Sequence, residues 1–141
     1  MIGVPNFDSI EAGIGQSGWF HLDVPRHLFH FTPKALEHFL KEAGLEPKMR
    51  ANSAPEYDVF SFVQTVQNAM GLPQNLLYDV LRRREARLSG TGTQAMLSAL
   101  VLGLAIPLTL IGVIWAPVAA TLKRGATITF YATRPLEAPG D

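Results

Sequence analysis

The chain has 141 residues, enough for one domain of ordinary size, and 48% of them are hydrophobic, so a packed core is within reach. Basic and acidic residues number 12 each, and a net charge of +0 gives no electrostatic footprint for DNA or RNA. Cysteine is absent, which excludes disulfides, thiolate metal sites and cysteine nucleophiles.

The N-terminal MIGVPNFDSI carries no basic region ahead of an apolar run, unlike a secretory signal. Its first four residues are apolar or small and stop at the turn signal Pro5-Asn6, as at the tail end of a buried parallel strand. Residues 7–31 are rich in Gly, Pro, Asp and His and read as loop. A helix follows: Thr32 is a good N-cap, Pro33 suits the first position, and Leu36, Phe39, Leu40 and Ala43 make one apolar stripe that Gly44 ends. Residues 46–53 form a weak strand pattern. Phe60, Val63, Val66 and Met70 recur at helical spacing, Gly71-Leu72-Pro73 interrupts, and residues 75–87 resume as a basic amphipathic helix. A small polar stretch, 89–93, reads as a linker, and ATITFYAT at 126–133 reads as a strand.

Between Arg87 and Lys123 no residue is charged, and 95–122 is almost continuous in Ala, Leu, Ile, Val and Gly. That exceeds the roughly 18 residues that mark a membrane-span candidate. The block can span as one tilted helix or fold back as a hairpin, and two features favour the hairpin. Pro107 sits near the middle, and both flanks are basic, with Arg82, Arg83, Arg84 and Arg87 before and Lys123 and Arg124 after, which keeps both ends on the cytoplasmic side. Two arms of about 12 residues reach only ~18 Å each, short of the ~30 Å hydrocarbon core, and so would dip into one leaflet. A buried helical pair in a soluble core is the bland alternative, for which a chain this small has little covering material.

Two motifs bear on chemistry. EAGIGQSG at 11–18 is a formal G-x-G-x-x-G through Gly13, Gly15 and Gly18, but it follows the turn-like PNFDSI and precedes no apolar helix, so it lacks the strand–loop–helix context of a nucleotide loop. WFHLDVPRHLFHFTP at 19–33 gathers His21, Asp23, Arg26, His27 and His30 among aromatics. Histidine is a general base near neutral pH, and Arg26 can grip a carboxylate or phosphate with two parallel bonds. A metal site from His21, Asp23, His27 and His30 matches no established ligand spacing. Polar anchoring of the loop onto the next helix explains His27 and His30 equally well on sequence alone.

The order PNFDS, then WFHLDVPRHLFHFTP, then a helix ending in EAGLE, resembles the C-terminal half of class I S-adenosylmethionine-dependent methyltransferases, nearest to their type 11, 12 and 23 branch. The resemblance covers residues 2 to about 78 and the last strand near 126–134. It implies that VPN ends the fifth strand of a seven-stranded sheet, and that the cofactor's glycine-rich loop and acidic residue belong to an N-terminal half that these residues do not include. It carries over Asn6, Trp19, His21 and Arg26 as substrate-binding candidates, His27 and His30 as catalytic ones, and no cofactor-binding or metal residue. Some similar proteins insert an apolar helical pair before the final strand.

The resulting expectation is an α/β fold: a partial methyltransferase sheet of C-terminal strands only, with a helical, apolar hairpin insertion. Residues 1–88 form the C-terminal part of the methyltransferase domain, 89–125 a membrane-associating hairpin, and 126–141 the final strand and tail. Expected partners are the lipid surface on the cytoplasmic face, a small-molecule or lipid-like methyl acceptor, and a separate N-terminal half that supplies S-adenosylmethionine, without which the fragment is inactive. The alternative is a small, non-enzymatic, membrane-associated binding protein.

Overall fold

A computed structural model of the chain describes residues 1–23, 27–82 and 92–134. In chain order the elements are β1 (Ile2–Pro5), α1 (Ile10–Gly15), two 3-10 turns (Gln16–Gly18 and Phe20–Leu22), α2 (Pro33–Glu42), β2 (Glu46–Ala51), α3 (Pro55–Ala69), α4 (Leu76–Arg82), α5 (Gly92–Thr121) and β3 (Thr127–Thr133). The fold is mixed α/β: a small antiparallel sheet with five helices among the described residues.

The sheet has the order β1-β3-β2. β3 pairs antiparallel with both neighbours, so β1 and β2 run in the same direction on either side of it. The parallel remnant expected from the sequence is reduced to one bridge, Asn6 with Phe31. Helix α2 starts and stops as its sequence predicts. Thr32 Oγ1 accepts from the Ala35 N–H, Pro33 occupies the first turn, and Gly44, at φ 71°, takes the left-handed conformation that closes the helix. Half of its expected apolar stripe lands on the sheet, where Leu36 and Leu40 pack with Ile128 and Phe130 into one buried cluster, while Phe39 and Ala43 are exposed. Ile128 is fully buried, so Ile128→Ala is expected to cost roughly 2–5 kcal/mol, read by chemical denaturation followed by circular dichroism.

Two differences from the sequence reading have physical causes. The stretch 7–31 is not all loop, because Ser9 caps α1 by accepting from the Ala12 N–H. Two glycines of the formal nucleotide motif are packing residues. A side chain at Gly15 would lie 2.5 Å from Thr65 Cγ2, and one at Gly18 would lie 3.3 Å from Asn68 Cβ.

The second difference is that the apolar block is one continuous 30-residue helix rather than a hairpin, with Pro107 and Pro117 inside it. Both prolines sit on the exposed side. The opposite side is held against α3 before and after Pro107, through Val101 and Gly112. Breaking at Pro107 would release one of those contacts, whereas an interior proline costs about 3 kcal/mol and leaves the rest of the ladder intact. The expected linker at 89–93 and the end of the helix expected over 75–87 lie outside the described residues, except that Gly92 and Thr93 open α5. Helix α5 is long and apolar enough to cross a membrane, yet only 17% of its most apolar stretch is buried.

Helix α3 is the central rod. Residues 61–65 are all buried, with α5 on one side and α1 and the 3-10 turns on the other. Phe62 and Val63 join Leu76, Leu77 and Val80 of α4 and Val101 of α5 in the second apolar cluster.

Candidate functional site

The segment after α1 is organised by Trp19, which is 1% exposed. Phe7, His21 and His30 surround it, with ring centroids at 6.0, 5.6 and 5.9 Å. Phe20 is fixed next to it. Its N–H donates to Thr65 Oγ1 at 3.1 Å, and its ring meets Phe60 and Tyr78 at 5.3 and 5.7 Å. These anchors bring His21, Asp23 and His27 to one wall of a cleft of about 290 Å³, with Phe20 and Tyr78 also lining it. Gln74, Asn75 and Asp79 complete the lining from the α3–α4 turn and α4.

The sequence-predicted residues do not all arrive there. His27 and His21 line the cleft. His30 is not among its lining residues: its ring lies 6.5 Å from that of His27 and packs on Trp19 and Phe7, and its Nε2 is 3.4 Å from the His21 carbonyl oxygen. Trp19 is core, and borders only a separate, mainly apolar hollow between α1 and the 3-10 turns. Asn6 is fully buried at the end of β1, where its Nδ2 donates to the Gly125 carbonyl at 2.9 Å and its Oδ1 accepts from the Asp8 N–H at 3.0 Å. Both ends of that side chain are committed, Nδ2 to the entry of β3 and Oδ1 to the local turn after β1. Arg26 lies outside the described residues. Among the described residues, no group of three or more His, Asp or Glu is placed to hold a metal ion.

Burial pushes the His21 imidazole down to about 4, aided by His27 and opposed by the nearby Asp23 carboxylate. His21 is therefore neutral at physiological pH, and its buried Nε2 has no hydrogen-bond partner among the described residues. A neutral ring with a spare nitrogen beside a cleft can orient a polar ligand but is a poor proton acceptor at pH 7. His27 lies on the same wall.

The far wall was missed by sequence reasoning. It is held by a buried amide network on the inner face of α3. Gln64 Nε2 donates to Asn68 Oδ1 at 2.8 Å, and Gln64 Oε1 accepts from the Tyr78 N–H at 2.8 Å. Asn68 Nδ2 donates to the Gly18 carbonyl at 2.7 Å and to Asn75 Oδ1 at 3.0 Å, while its Oδ1 accepts from the Asn75 N–H. One side chain thereby ties the α1 region to the turn before α4 and supports Asn75 at φ 55°, a left-handed conformation asparagine tolerates. The available signal was the spacing of Ser61, Gln64, Thr65 and Asn68, a polar stripe at helical period within an otherwise apolar segment. Asn68→Ala leaves several of these groups without partners, and is expected to cost about 2–3 kcal/mol and to raise amide exchange at Asn75 and Tyr78.

Comparison with protein-family models, curated proteins and solved structures finds no match to this chain. An apolar groove of about 300 Å³ lies between α3, α4 and α5, lined by Val59, Phe60, Val63, Leu77, Leu102 and Ala105 among others. Phe60, in that groove, also touches Phe20 and Tyr78 of the polar cleft, with centroids at 5.3 and 6.4 Å. Three aromatic rings, meeting edge-on or tilted, thus stand between the histidine-lined cleft and the apolar groove.

Proposed function

We propose that these residues are the substrate-side part of a class I S-adenosylmethionine-dependent methyltransferase that acts on an amphipathic, lipid-like acceptor at a membrane surface. The observation that carries the acceptor class is the polar cleft and apolar groove on two sides of Phe20, Phe60 and Tyr78. A molecule with a polar head and an apolar tail suits that pairing. The methyltransferase assignment is supported by the sequence resemblance and by a last strand running antiparallel between two strands of common direction.

The described residues do not fit S-adenosylmethionine itself. Gly15 and Gly18 are filled by Thr65 and Asn68, so they form no cradle for a nucleoside. In this reading the cofactor is held by an N-terminal half, and these residues contribute only acceptor binding and proton handling. His27 accepts the proton of the acceptor's hydroxyl, His21 orients the head group as a neutral ring, and His30 backs His27.

The test is transfer of tritiated methyl from S-adenosylmethionine into the organic phase of a lipid extract. It uses the gene product tagged at its own locus and purified in detergent with whatever accompanies it. His27→Ala is expected to lower transfer about 100-fold or more, with the circular dichroism unchanged. Absence of transfer by the unaltered protein would sink the reading. The second reading, a non-enzymatic membrane-associated binding protein, is favoured by the filled glycine positions, and would show lipid binding that S-adenosylmethionine leaves unaffected.

A further inference from the structure

We infer that α5 lies flat in one membrane leaflet, parallel to the surface, and fastens the domain to anionic phospholipid rather than crossing the bilayer. The inference rests on the membrane part of the reading above and is independent of the methyltransferase part.

Helix α5 has two faces with different occupants. The inner stripe, Ser98, Val101, Gly112, Ala116 and Ala119, is buried and follows α3. Gln67 Nε2 donates to the Val101 carbonyl at 2.9 Å near one end of α3. Near the other end, Gly112 sits so close to α3 that a Cβ would lie 3.2 Å from Phe62 and 3.3 Å from Val59, and the tilted Trp115 and Phe62 rings lie with centroids 6.3 Å apart. The two helices are thus laced together, antiparallel, for most of the length of α3.

A transmembrane α5 would carry α3 into the hydrocarbon with it. Directly behind α3 lies Glu11, whose carboxyl accepts from Ser61 Oγ, and α3 itself carries the buried Asp58, bound to Ser53 and Thr127. Those groups, the amide network and the sheet would be drawn towards the bilayer centre. The alternative is to peel α5 away, which strands Gln67 and dismantles the apolar cluster around Val101. Lying in the plane avoids both, because the inner face keeps α3 and only the outer face enters lipid.

The outer face is suited to acyl chains rather than to a protein. Met96, Leu100, Ile106, Leu110, Val113 and Ile114 are exposed along a helix about 45 Å long. No charge interrupts them, and the aromatic and arginine anchors that mark protein interfaces are missing from this face. Exposed cations border the apolar region: Arg82 closes α4, whose Leu81 lines one groove with Leu102 and Ala105 near the middle of α5, and Lys123 follows α5. They would meet phosphate head groups when the helix is immersed to a depth of roughly 5–10 Å.

Because the chain has no cysteine, single reporters can be placed at will. Met96→Cys, Ile106→Cys and Val118→Cys put one bimane label each on the exposed face. The full chain is bound to phosphatidylcholine vesicles with and without phosphatidylglycerol, and label depth is read by lipids carrying quenchers at different positions. The expected result is the same shallow depth at all three sites, and binding to the anionic vesicles that Arg82→Glu with Lys123→Glu weakens at least about tenfold. A label at Ile106 near the bilayer centre with the other two shallow overturns the in-plane arrangement while leaving membrane association standing. Failure to bind either vesicle overturns both, and leaves the methyl-transfer assay to decide catalysis.

Discussion

Gly125→Ala is expected to destabilise the protein by roughly 3–5 kcal/mol. Gly125 is buried at the entry to β3, and a Cβ there would fall inside the backbone carbonyl oxygen of Asn52. No side-chain rotation relieves a clash with backbone, so the strand end must move. That movement pulls the Gly125 carbonyl from Asn6 Nδ2 and the Ala126 carbonyl from the Asn6 N–H, two bonds that join β1 to β3. Against a total stability of about 5–15 kcal/mol for a domain of this kind, the loss approaches the threshold of folding. Thermal melts should show it as a drop of at least about 10 °C. Gly13→Ala, in α1 with nothing near its Cβ position, is the control and should be neutral or stabilising by about 0.5–1 kcal/mol. A melt for Gly125→Ala indistinguishable from that of the unaltered protein would show that Asn52 and Gly125 are not in contact.

The second large effect depends on pH. Glu11 is 2% exposed between α1 and α3, and its carboxyl is pushed up to about 8, mainly by burial and also by the nearby Asp58, while the Ser61 hydroxyl works in the opposite direction. A free glutamate side chain titrates at 4.5. Between those values the folded chain holds a proton that the unfolded chain has released. The stabilisation tied to neutral Glu11 is therefore complete below about pH 4.5 and is lost as the pH rises through about 8. Glu11→Gln keeps an oxygen to accept from Ser61 and removes the titration. The variant should match the unaltered protein near pH 5 and exceed it by on the order of 3–4 kcal/mol above pH 8, as read by urea midpoints across the range. Asp58, also raised by burial, bends both curves in the same direction. Parallel curves at every pH would mean that Glu11 is charged and hydrated in the folded state.

The legible parts of the molecule were those decided by local chemistry. Thr32, Pro33 and Gly44 bracket α2 because capping and proline geometry act within a few residues, and ATITFYAT forms β3 because alternating β-branched and aromatic residues suit a half-buried strand. Helix α1 was hidden by its glycines, of which Gly15 is required by Thr65, and Gly18 in the turn after it by Asn68, from a helix some 50 residues later. The histidines around Trp19 were visible as a cluster. Which of them faces the cleft was not, because Trp19, Thr65 and Tyr78 settle that from three separate elements.

The apolar block divides the two kinds of information most clearly. Composition alone determined that residues 95–122 are helical and need a non-aqueous neighbour, since an uncharged aliphatic run of that length leaves no polar face for water. Whether Pro107 would break it was a tertiary matter. A proline removes one hydrogen bond locally, and only the contacts of Val101 and Gly112 with α3, on both sides of it, make a continuous helix cheaper than a turn.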